Sequence, residues 1–164
     1  MIQKNKNGIP NGPIFVWLTT NKVTTWFLRN VASRLDPYLY KWSNGKFCLL
    51  GPSSSMPMVT ITTIGRKSKK VRRTQLVCVE HQGIHHIVAS AMGQERHPGW
   101  MYNIEANPKI DVQAMQETYK AKAEQLTDDE KSEIWGLVEE TVPQMSAYEG
   151  RTNRNIKVFR LNRL

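Results

Sequence analysis

Short runs of apolar and β-branched residues fill the middle of the chain and end in turn signals. Several neighbouring runs are joined by only a few residues, as at Gln82-Gly83. Parallel strands need a crossover connection of about a dozen residues or more, so this spacing opposes a doubly wound parallel sheet. It favours an α+β protein with a small antiparallel β-barrel and peripheral helices. The runs lie at 57–64, 76–80, 84–90, 110–113 and 118–125.

Two helices interrupt the strands. Pro98 stands where a helix can begin, and Asn107-Pro108 ends it. Thr127 and Glu130 have the spacing of a capping box, which predicts a helix that runs to Pro143. We expect a polar loop over 144–155 and a final strand over 156–161.

The N-terminal third has a different composition. We expect a weakly ordered arm over 1–13 and an amphipathic helical segment that Asp36-Pro37 stops or turns. This predicts two parts, an N-terminal segment over 1–35 and a barrel domain over 36–164. The apolar stripe of the segment either lies in a membrane interface or caps the core of its own domain. Its residues are Ile14, Trp17, Leu18, Val23, Trp26, Phe27, Val31 and Leu35.

The chain is strongly basic, with a formal net charge of +9 over 164 residues. This excess favours an anionic partner: nucleic acid, an anionic membrane surface or a phosphorylated small molecule. No stretch approaches the roughly 18 apolar residues of a transmembrane span. The two cysteines, Cys48 and Cys78, lie in separate apolar runs and suit buried thiols. We expect a cytoplasmic protein.

Six of the eight residues from Arg66 to Arg73 are cationic, and two strand-like runs flank them. This basic turn can be a solvated charge run, a nucleic-acid patch or a clamp for a phosphorylated ligand. No aromatic residue lies between Phe47 and Trp100 to stack on bases, so we expect no nucleic-acid partner. Gly65 permits a tight turn with exposed backbone N–H groups, and arginine binds oxyanions in bidentate fashion.

The histidines give only a weak metal signal. Cys78, His81 and His85 match no common zinc spacing. His85 and His86 are adjacent in an expected strand, so their side chains point to opposite faces. We expect no metal site.

Four ordered motifs across about residues 35–162 resemble the deazaflavin-dependent nitroreductase family. They are Thr62-Thr63-x-Gly65-Arg66-Lys67-Ser68 with Arg72-Arg73-Thr74, Val88-Ala89-Ser90, His97-Pro98-x-Trp100-x-x-Asn103 with Ala106-Asn107-Pro108, and Tyr148-x-x-Arg151-Thr152-x-Arg154-x-Ile156. The resemblance implies a split β-barrel that binds reduced coenzyme F420. It also implies an enzyme that transfers hydride to a quinone, a nitroaromatic or an activated double bond.

The resemblance assigns roles to particular residues. The basic turn would hold the phosphate and polyglutamate tail of the cofactor, and Trp100 and Asn103 would lie on the helix beside it, where Trp100 can equally serve helix packing. Tyr148 and Ser90 would be the catalytic residues, with Tyr148 orienting the acceptor or helping to protonate it. The cofactor-binding residues implied are Arg66, Lys67, Ser68, Lys70, Arg72, Arg73, Thr74, Gln75, Leu76, Ala89, Ser90, Ala91, Trp100 and Asn103.

The chain departs from the family pattern at five positions. Lys69 and Met92 replace common glycines, Gln75 replaces a usual proline, and Ala91 replaces a frequent lysine. Met145 stands where nitro-reducing members often have a further tyrosine. Two other classes remain open: a split-barrel protein that binds FMN or a tetrapyrrole-like ligand, and a non-catalytic basic module for nucleic acid or lipid.

Overall fold

A computed structural model describes residues 17, 20–44, 46–48, 51–52 and 57–164. The arm expected over 1–13 lies outside these residues. The helices are α1 (Lys22–Phe27), a π-helical turn (Leu28–Ala32), α2 (Ser33–Trp42), a 3₁₀ turn (Ala91–Gly93), α3 (Gly99–Ala106), α4 (Asp128–Thr141) and α5 (Met145–Glu149). The strands are β1 (Phe47–Cys48), β2 (Gly51–Pro52), β3 (Met58–Ile64), β4 (Val71–His81), β5 (Ile84–Val88), β6 (Lys109–Ala114), β7 (Glu117–Gln125) and β8 (Val158–Arg163).

Six strands close into an antiparallel barrel in the order β3-β4-β5-β8-β7-β6, and β6 pairs again with β3. Every strand pair in the barrel is antiparallel. The expected α+β barrel with peripheral helices is therefore confirmed. The tight turn expected at Gln82-Gly83 is also present, because both residues have positive φ, as the favoured two-residue hairpin turns require.

The apolar residues form two clusters. One fills the barrel and includes Val59, Ile61, Cys78 and Phe159. The other lies against the helices and joins Val79 to residues of α4 and α5. Side chains of a strand alternate between faces, so β4 sends Leu76 and Cys78 to the first cluster and Val77 and Val79 to the second.

The helical N-terminal segment does not stop at Asp36-Pro37, which is a correction to the sequence prediction. Helix α2 contains Pro37 and continues to Trp42. The fully buried Tyr40 anchors the extra turns: its hydroxyl donates to the Met58 carbonyl at 2.8 Å and accepts from Met115 N–H at 2.8 Å. These contacts outweigh the local cost of proline in a helix. The division into parts at residue 35 remains a prediction, although no helix ends there.

Five residues of the apolar stripe singled out in the N-terminal segment face solvent rather than the core: Trp17, Val23, Trp26, Phe27 and Leu35. Val31 is half-buried, and Ile14 and Leu18 lie outside the described residues. Leu28, Ala32 and Tyr40 form the buried side of the helices instead. The most exposed apolar side chain is Trp42, at 85%. The other exposed ones of this region are Trp17, Val23, Trp26, Phe27, Leu35 and Tyr38.

Helix α4 begins as the sequence predicts. The Thr127 hydroxyl accepts from Glu130 N–H, and the Glu130 carboxylate accepts from Thr127 N–H. The expected polar loop over 144–155 is partly wrong, because Met145–Glu149 forms α5. Met145 and Tyr148 are buried in the second apolar cluster, so tertiary packing stabilises a helix too short to be stable alone.

Candidate functional site

The basic turn is closed by its own backbone. Gly65 N–H donates to Lys70 O and Lys69 N–H donates to Gly65 O, both at 2.8 Å. A Cβ at Gly65 would meet Ser68 Oγ and would lie 3.3 Å from Lys70 O, so a larger residue would crowd the turn. Arg66 N–H donates to Asn103 Oδ1 at 3.0 Å. The exposed N–H groups expected here are thus partly used within the protein, so the side chains are the main groups left available for an anion.

The cationic side chains of the turn remain available for a ligand. All six are exposed, and none forms an ion pair in the part of the chain that the structure describes. The Arg66 guanidinium lies over the Tyr102 ring, 4.4 Å from its centroid. Arginine and lysine side chains grouped without carboxylates repel one another, so an anionic ligand stabilises them.

Helix α3 supports the turn from one side. Asn103 donates from Nδ2 to Thr63 Oγ1 at 3.2 Å while its Oδ1 accepts from Arg66 N–H. It therefore joins the helix to both β3 and the turn. Trp100 is buried at 6% exposure and packs edge-to-face on Phe159 with ring centroids 5.9 Å apart, which agrees with the helix-packing alternative for this residue.

The outward face of β3 and β4 contains unsatisfied polar atoms. Gln75 stands directly opposite Thr60 in the strand register. The Gln75 Oε1 and Nε2 atoms and the Thr60 Oγ1 atom are buried and have no hydrogen-bond partner among the residues that the structure describes. A buried polar group without a partner is destabilising, and a ligand can supply the missing bonds. Thr74 and Leu76, on the other face of β4, are half-buried.

After β5 the chain makes a left-handed turn. Ser90 is right-handed helical, whereas Ala91, Met92 and Gly93 have φ of 48°, 56° and 74°. The N–H groups of Ala91 and Met92 donate to no acceptor among the described residues. Successive N–H groups in a right-handed then left-handed conformation form an anion-binding concavity called a nest. The backbone N–H groups from Ser90 to Met92 therefore have the conformation to bind an oxyanion or a carbonyl oxygen.

Tyr148 on α5 adjoins this turn, because its carbonyl and Cα lie within 3.0 Å of where a Gly93 Cβ would stand. Burial raises the pKa of the Tyr148 phenol above its ordinary value, so it stays protonated near neutral pH. Arg151 lies 5.9 Å from the Tyr148 ring centroid and donates from Nη2 to Thr20 O. Arg151 thus links α5 to the N-terminal helical region.

The other titratable groups singled out in the sequence lie apart from these features. His85 Nδ1 is 2.7 Å from the Tyr119 hydroxyl, in a groove on the β5, β7 and β8 side of the barrel. Cys78 is buried, as expected, and burial raises the pKa of its thiol to about 12. The described residues contain no group of three ligand-type side chains that could hold a metal ion.

Arg154 is among the residues of the quoted motifs that sequence reasoning gave no role. The Arg154 guanidinium donates to the carbonyls of Ala89, Ser90 and Gln94. Its acceptors are main-chain carbonyls, which every residue has, so the sequence does not reveal which residues Arg154 binds. The only available signal was an arginine at this position of the motif.

The closed antiparallel barrel defines the fold class as a split β-barrel, and the cationic turn and the N–H groups of the left-handed turn are suited to an extended anionic ligand. Residues 32–162 match the family described as F420H(2)-dependent quinone reductase. The chain belongs to this family, and reduced coenzyme F420 is its cofactor.

Known relatives agree in length and fold. An F420H(2)-dependent quinone reductase of Mycobacterium tuberculosis is 30% identical over 147 residues, which cover 86% of this chain and 98% of that protein. A solved F420-H2 dependent reductase, FDR-A, is 36% identical with a TM-score of 0.60. The matched region covers 65% of this chain and 94% of the FDR-A chain. A structure described as a domain-swapped dimer is similar at 36% identity and a TM-score of 0.60, over 65% of this chain and 80% of its own.

The residues present fit this cofactor. An extended polyanionic tail matches six exposed cations that have no acidic partner within the described part of the chain. A heterocycle with carbonyl and N–H groups matches the orphaned Gln75 amide and the free N–H groups of Ala91 and Met92. The comparisons do not support FMN as the cofactor.

Proposed function

We propose that this protein transfers hydride from reduced F420 to a quinone, which becomes a hydroquinone. The unpaired cations of the basic turn, fixed to α3 through Asn103, are the observation that carries the proposal. When bound, reduced F420 supplies a hydride, which contains two electrons and one proton. The quinone needs one further proton, which Tyr148 or solvent provides. One proton is released to solvent as F420 forms, and Tyr148 regains its proton from solvent, so the overall reaction is F420H2 plus quinone to F420 plus hydroquinone.

The basic turn binds the cofactor tail through its side chains. Lys67, Lys70 and Arg72 are exposed and unpaired, and charge-assisted hydrogen bonds to phosphate and carboxylates are stronger than neutral ones. Arg73, Gln75 and Leu76 continue along β4 towards the ring. Because remote binding energy positions the reacting atoms, the turn contributes to rate as well as affinity.

Polar atoms on two sides orient the ring. The Gln75 amide presents one donor and one acceptor, which matches an adjacent carbonyl and N–H on a heterocycle. The nest from Ser90 to Met92 offers N–H donors to a ring oxygen. Ala89, which precedes this turn, is fully buried, and its packing in the core holds the start of the turn in place.

Tyr148 contacts the acceptor as a hydrogen-bond donor in this proposal. Its raised pKa makes the free phenol a weaker acid, so positioning of the quinone oxygen is its main role. Ser90 offers a hydroxyl at the same turn. Met145 is 1% exposed and packs in the second apolar cluster, so it presents no polar group to a nitro substituent. A quinone is therefore favoured over a nitroaromatic.

The exposed aromatic face of the N-terminal helices favours contact with an anionic membrane surface. Trp26 and Trp42 are 57% and 85% exposed, and Lys22, Arg34 and Lys41 lie among the exposed residues of the same helices. Tryptophan and lysine together suit the lipid interface. No helix in the described residues is long and apolar enough to span a bilayer. Contact would give the site access to lipid-soluble quinones.

Titration with F420, followed by its fluorescence, tests the tail clamp. Replacing Lys67 and Arg72 together by alanine should raise Kd about tenfold or more, since each charge-assisted contact contributes roughly 1 kcal/mol. The Lys109→Ala/Lys120→Ala variant removes two exposed cations elsewhere on the barrel and should bind like the parent. Equal Kd for all three proteins would reject the clamp.

Vesicle sedimentation tests the membrane contact. The full chain should pellet with vesicles that contain anionic phospholipid, and the Trp26→Ser/Trp42→Ser variant should pellet several-fold less. Vesicles of neutral phospholipid alone should bind less protein, because the basic side chains then add little. Equal pelleting of both proteins with the anionic vesicles would count against this surface.

A further inference from the structure

Arg154 lies between α5 and β8 in the chain, and its guanidinium donates hydrogen bonds to one backbone segment, residues 89–94. Nε donates to Gln94 O at 2.7 Å, Nη1 to Ala89 O at 2.9 Å, and Nη2 to Ser90 O. Nη1 also lies 3.2 Å from His97 Nδ1. The guanidinium therefore bridges the residues before and after the left-handed turn. No carboxylate forms an ion pair with it in the described residues.

The segment that Arg154 bridges is strained. Ala91 and Met92 have φ of 48° and 56°, a region that residues with a Cβ rarely adopt. Such a conformation persists only where the surrounding structure determines it. The turn itself contributes two short-range backbone bonds, Gly93 N–H to Ser90 O and Gln94 N–H to Ala91 O. The planar fork of Arg154 supplies the long-range support.

We propose that Arg154 is a positioning residue that holds the left-handed turn from Ser90 to Gly93 in the conformation that aims its free N–H groups at the cofactor ring. It acts through the carbonyls of Ala89, Ser90 and Gln94 and touches no reacting atom. The inference rests on the proposed function, because the turn matters to the rate only if the ring lies against it.

The geometry of the fork explains why arginine is needed. Three carbonyls accept from three separate nitrogens of one planar group, and the guanidinium places its donors in a fixed fan. A lysine ammonium keeps the charge but is a compact group that cannot span all three acceptors. The charge alone is therefore insufficient to fix the turn.

The Arg154→Lys variant tests the proposal by separating binding from rate. The tail clamp is untouched, so Kd for F420 should stay within about threefold of the parent. The rate of hydride transfer to a soluble naphthoquinone, at saturating concentrations of both, should fall about tenfold to a hundredfold. Misplacement of reacting groups by about 1 Å has effects of this size.

Arg160→Lys is the matched control, because Arg160 binds the carboxylates of Glu124 and Glu130 on the barrel surface. It should keep the parent rate. A merely structural role for Arg154 would lower Tm and reduce the rate only in proportion to the folded fraction, which circular dichroism measures in the same samples.

The outcomes separate the two proposals. Parent protein that neither binds F420 nor reduces the quinone would overturn the proposed function. Active parent with Arg154→Lys at the same saturated rate would overturn the positioning role alone. A lowered rate at unchanged folded fraction and nearly unchanged Kd supports it.

Discussion

Two residues adopt a positive φ that is unfavourable for a residue with a side chain. Lys69 and Met92 both stand where the family commonly has glycine, and both have a φ of 56°. Glycine adopts this region without steric cost, whereas a side chain costs about 1 kcal/mol or more. The resemblance noted these departures, and the structure supplies their physical meaning.

Replacing Lys69 by glycine should stabilise the protein by about 0.5–1 kcal/mol and raise Tm by roughly 1–4 °C. The same change removes one exposed cation and should raise Kd for F420 about twofold. Thermal unfolding and fluorescence titration measure the two effects. Lys70→Gly removes a neighbouring cation at a residue without positive φ, and it should not stabilise. A lower Tm for Lys69→Gly would contradict the strain at this position.

Gln75 gives a prediction in which stability and binding change in opposite directions. Gln75→Leu removes two buried atoms that have no partner, so it should stabilise the cofactor-free protein by about 1–2 kcal/mol. It should also weaken F420 binding about tenfold. Gln113→Leu is the control, because Gln113 pairs with Thr60 from β6 and has no orphaned atoms. If Gln75→Leu binds F420 normally, the amide does not contact the ring.

His97 makes the support of the left-handed turn dependent on pH. Burial, and then the charges of Arg154 and Lys157, lower the pKa of His97, while Glu105 raises it, and the Tyr102 ring packs against the imidazole. Nδ1 can accept from Arg154 only when His97 is neutral, so the saturated rate should fall as pH drops below about 6.5. His97→Asn keeps an acceptor that does not titrate and should lose this acidic limb. If the saturated rate of His97→Asn still falls at acidic pH as in the parent, a group other than His97 causes the fall.

At the scale of elements, the site is assembled from parts distant in sequence. The β3–β4 hairpin carries the basic turn, α3 fixes it through Asn103, and the left-handed turn packs against α5. Gly93 is the contact point of the last pair. A Cβ there would lie 2.6 Å from Tyr148 O and 2.8 Å from Arg151 Cβ.

Gly93→Ala should therefore destabilise the protein by roughly 2–4 kcal/mol, through both positive φ and overpacking. We expect Tm to fall by roughly 5–15 °C and the rate to fall further than the folded fraction, because α5 carries Tyr148. Gly136→Ala is the control: apart from its chain neighbours and the backbone of α4 itself, no atom of the described residues lies within 4 Å of its Cβ position, so it should be neutral or stabilising. A parent-like Gly93→Ala would show that the turn and α5 separate easily.

For the whole molecule, three half-buried or buried histidines set the response to acid. Burial is the first cause that lowers the pKa of His85, His86 and His97. Their unfolded forms bind protons near pH 6.5 while the folded forms do not, so stability is present above that pH and is lost as pH falls through the folded pKa values.

In urea unfolding between pH 8 and pH 5, the urea concentration at the midpoint should therefore decrease once the pH drops below about 6.5. The exposed Glu117 and Glu124 and the half-buried Glu130 also have lowered pKa values, owing to Arg163, Arg160 and the Thr127 backbone respectively. They titrate at lower pH and add to the loss only below about 4.5. A midpoint that rises on acidification to pH 5 would contradict this sign.

The predictions from sequence held where the signal is local. Short apolar and β-branched runs bounded by turn signals predicted the barrel strands, Gln82-Gly83 predicted the hairpin turn, and the Thr127–Glu130 pair predicted the start of α4. They failed at Asp36-Pro37 and over 144–155, because Tyr40 and the buried Met145 and Tyr148 supply long-range contacts that override local preference. The site residues implied by the resemblance remain predictions.

The sequence by itself determined the strands, the cationic turn and the family, because periodicity, charge and ordered motifs are properties of the chain read in one dimension. Only the tertiary structure decided which face of the N-terminal helices is exposed, that the Gln75 amide lacks a partner, and that Arg154 binds three carbonyls. The physical reason is common to all three. Burial and hydrogen bonding to main-chain carbonyls depend on which distant segments come into contact. Because the main chain is chemically the same at every residue, the sequence does not identify these partners.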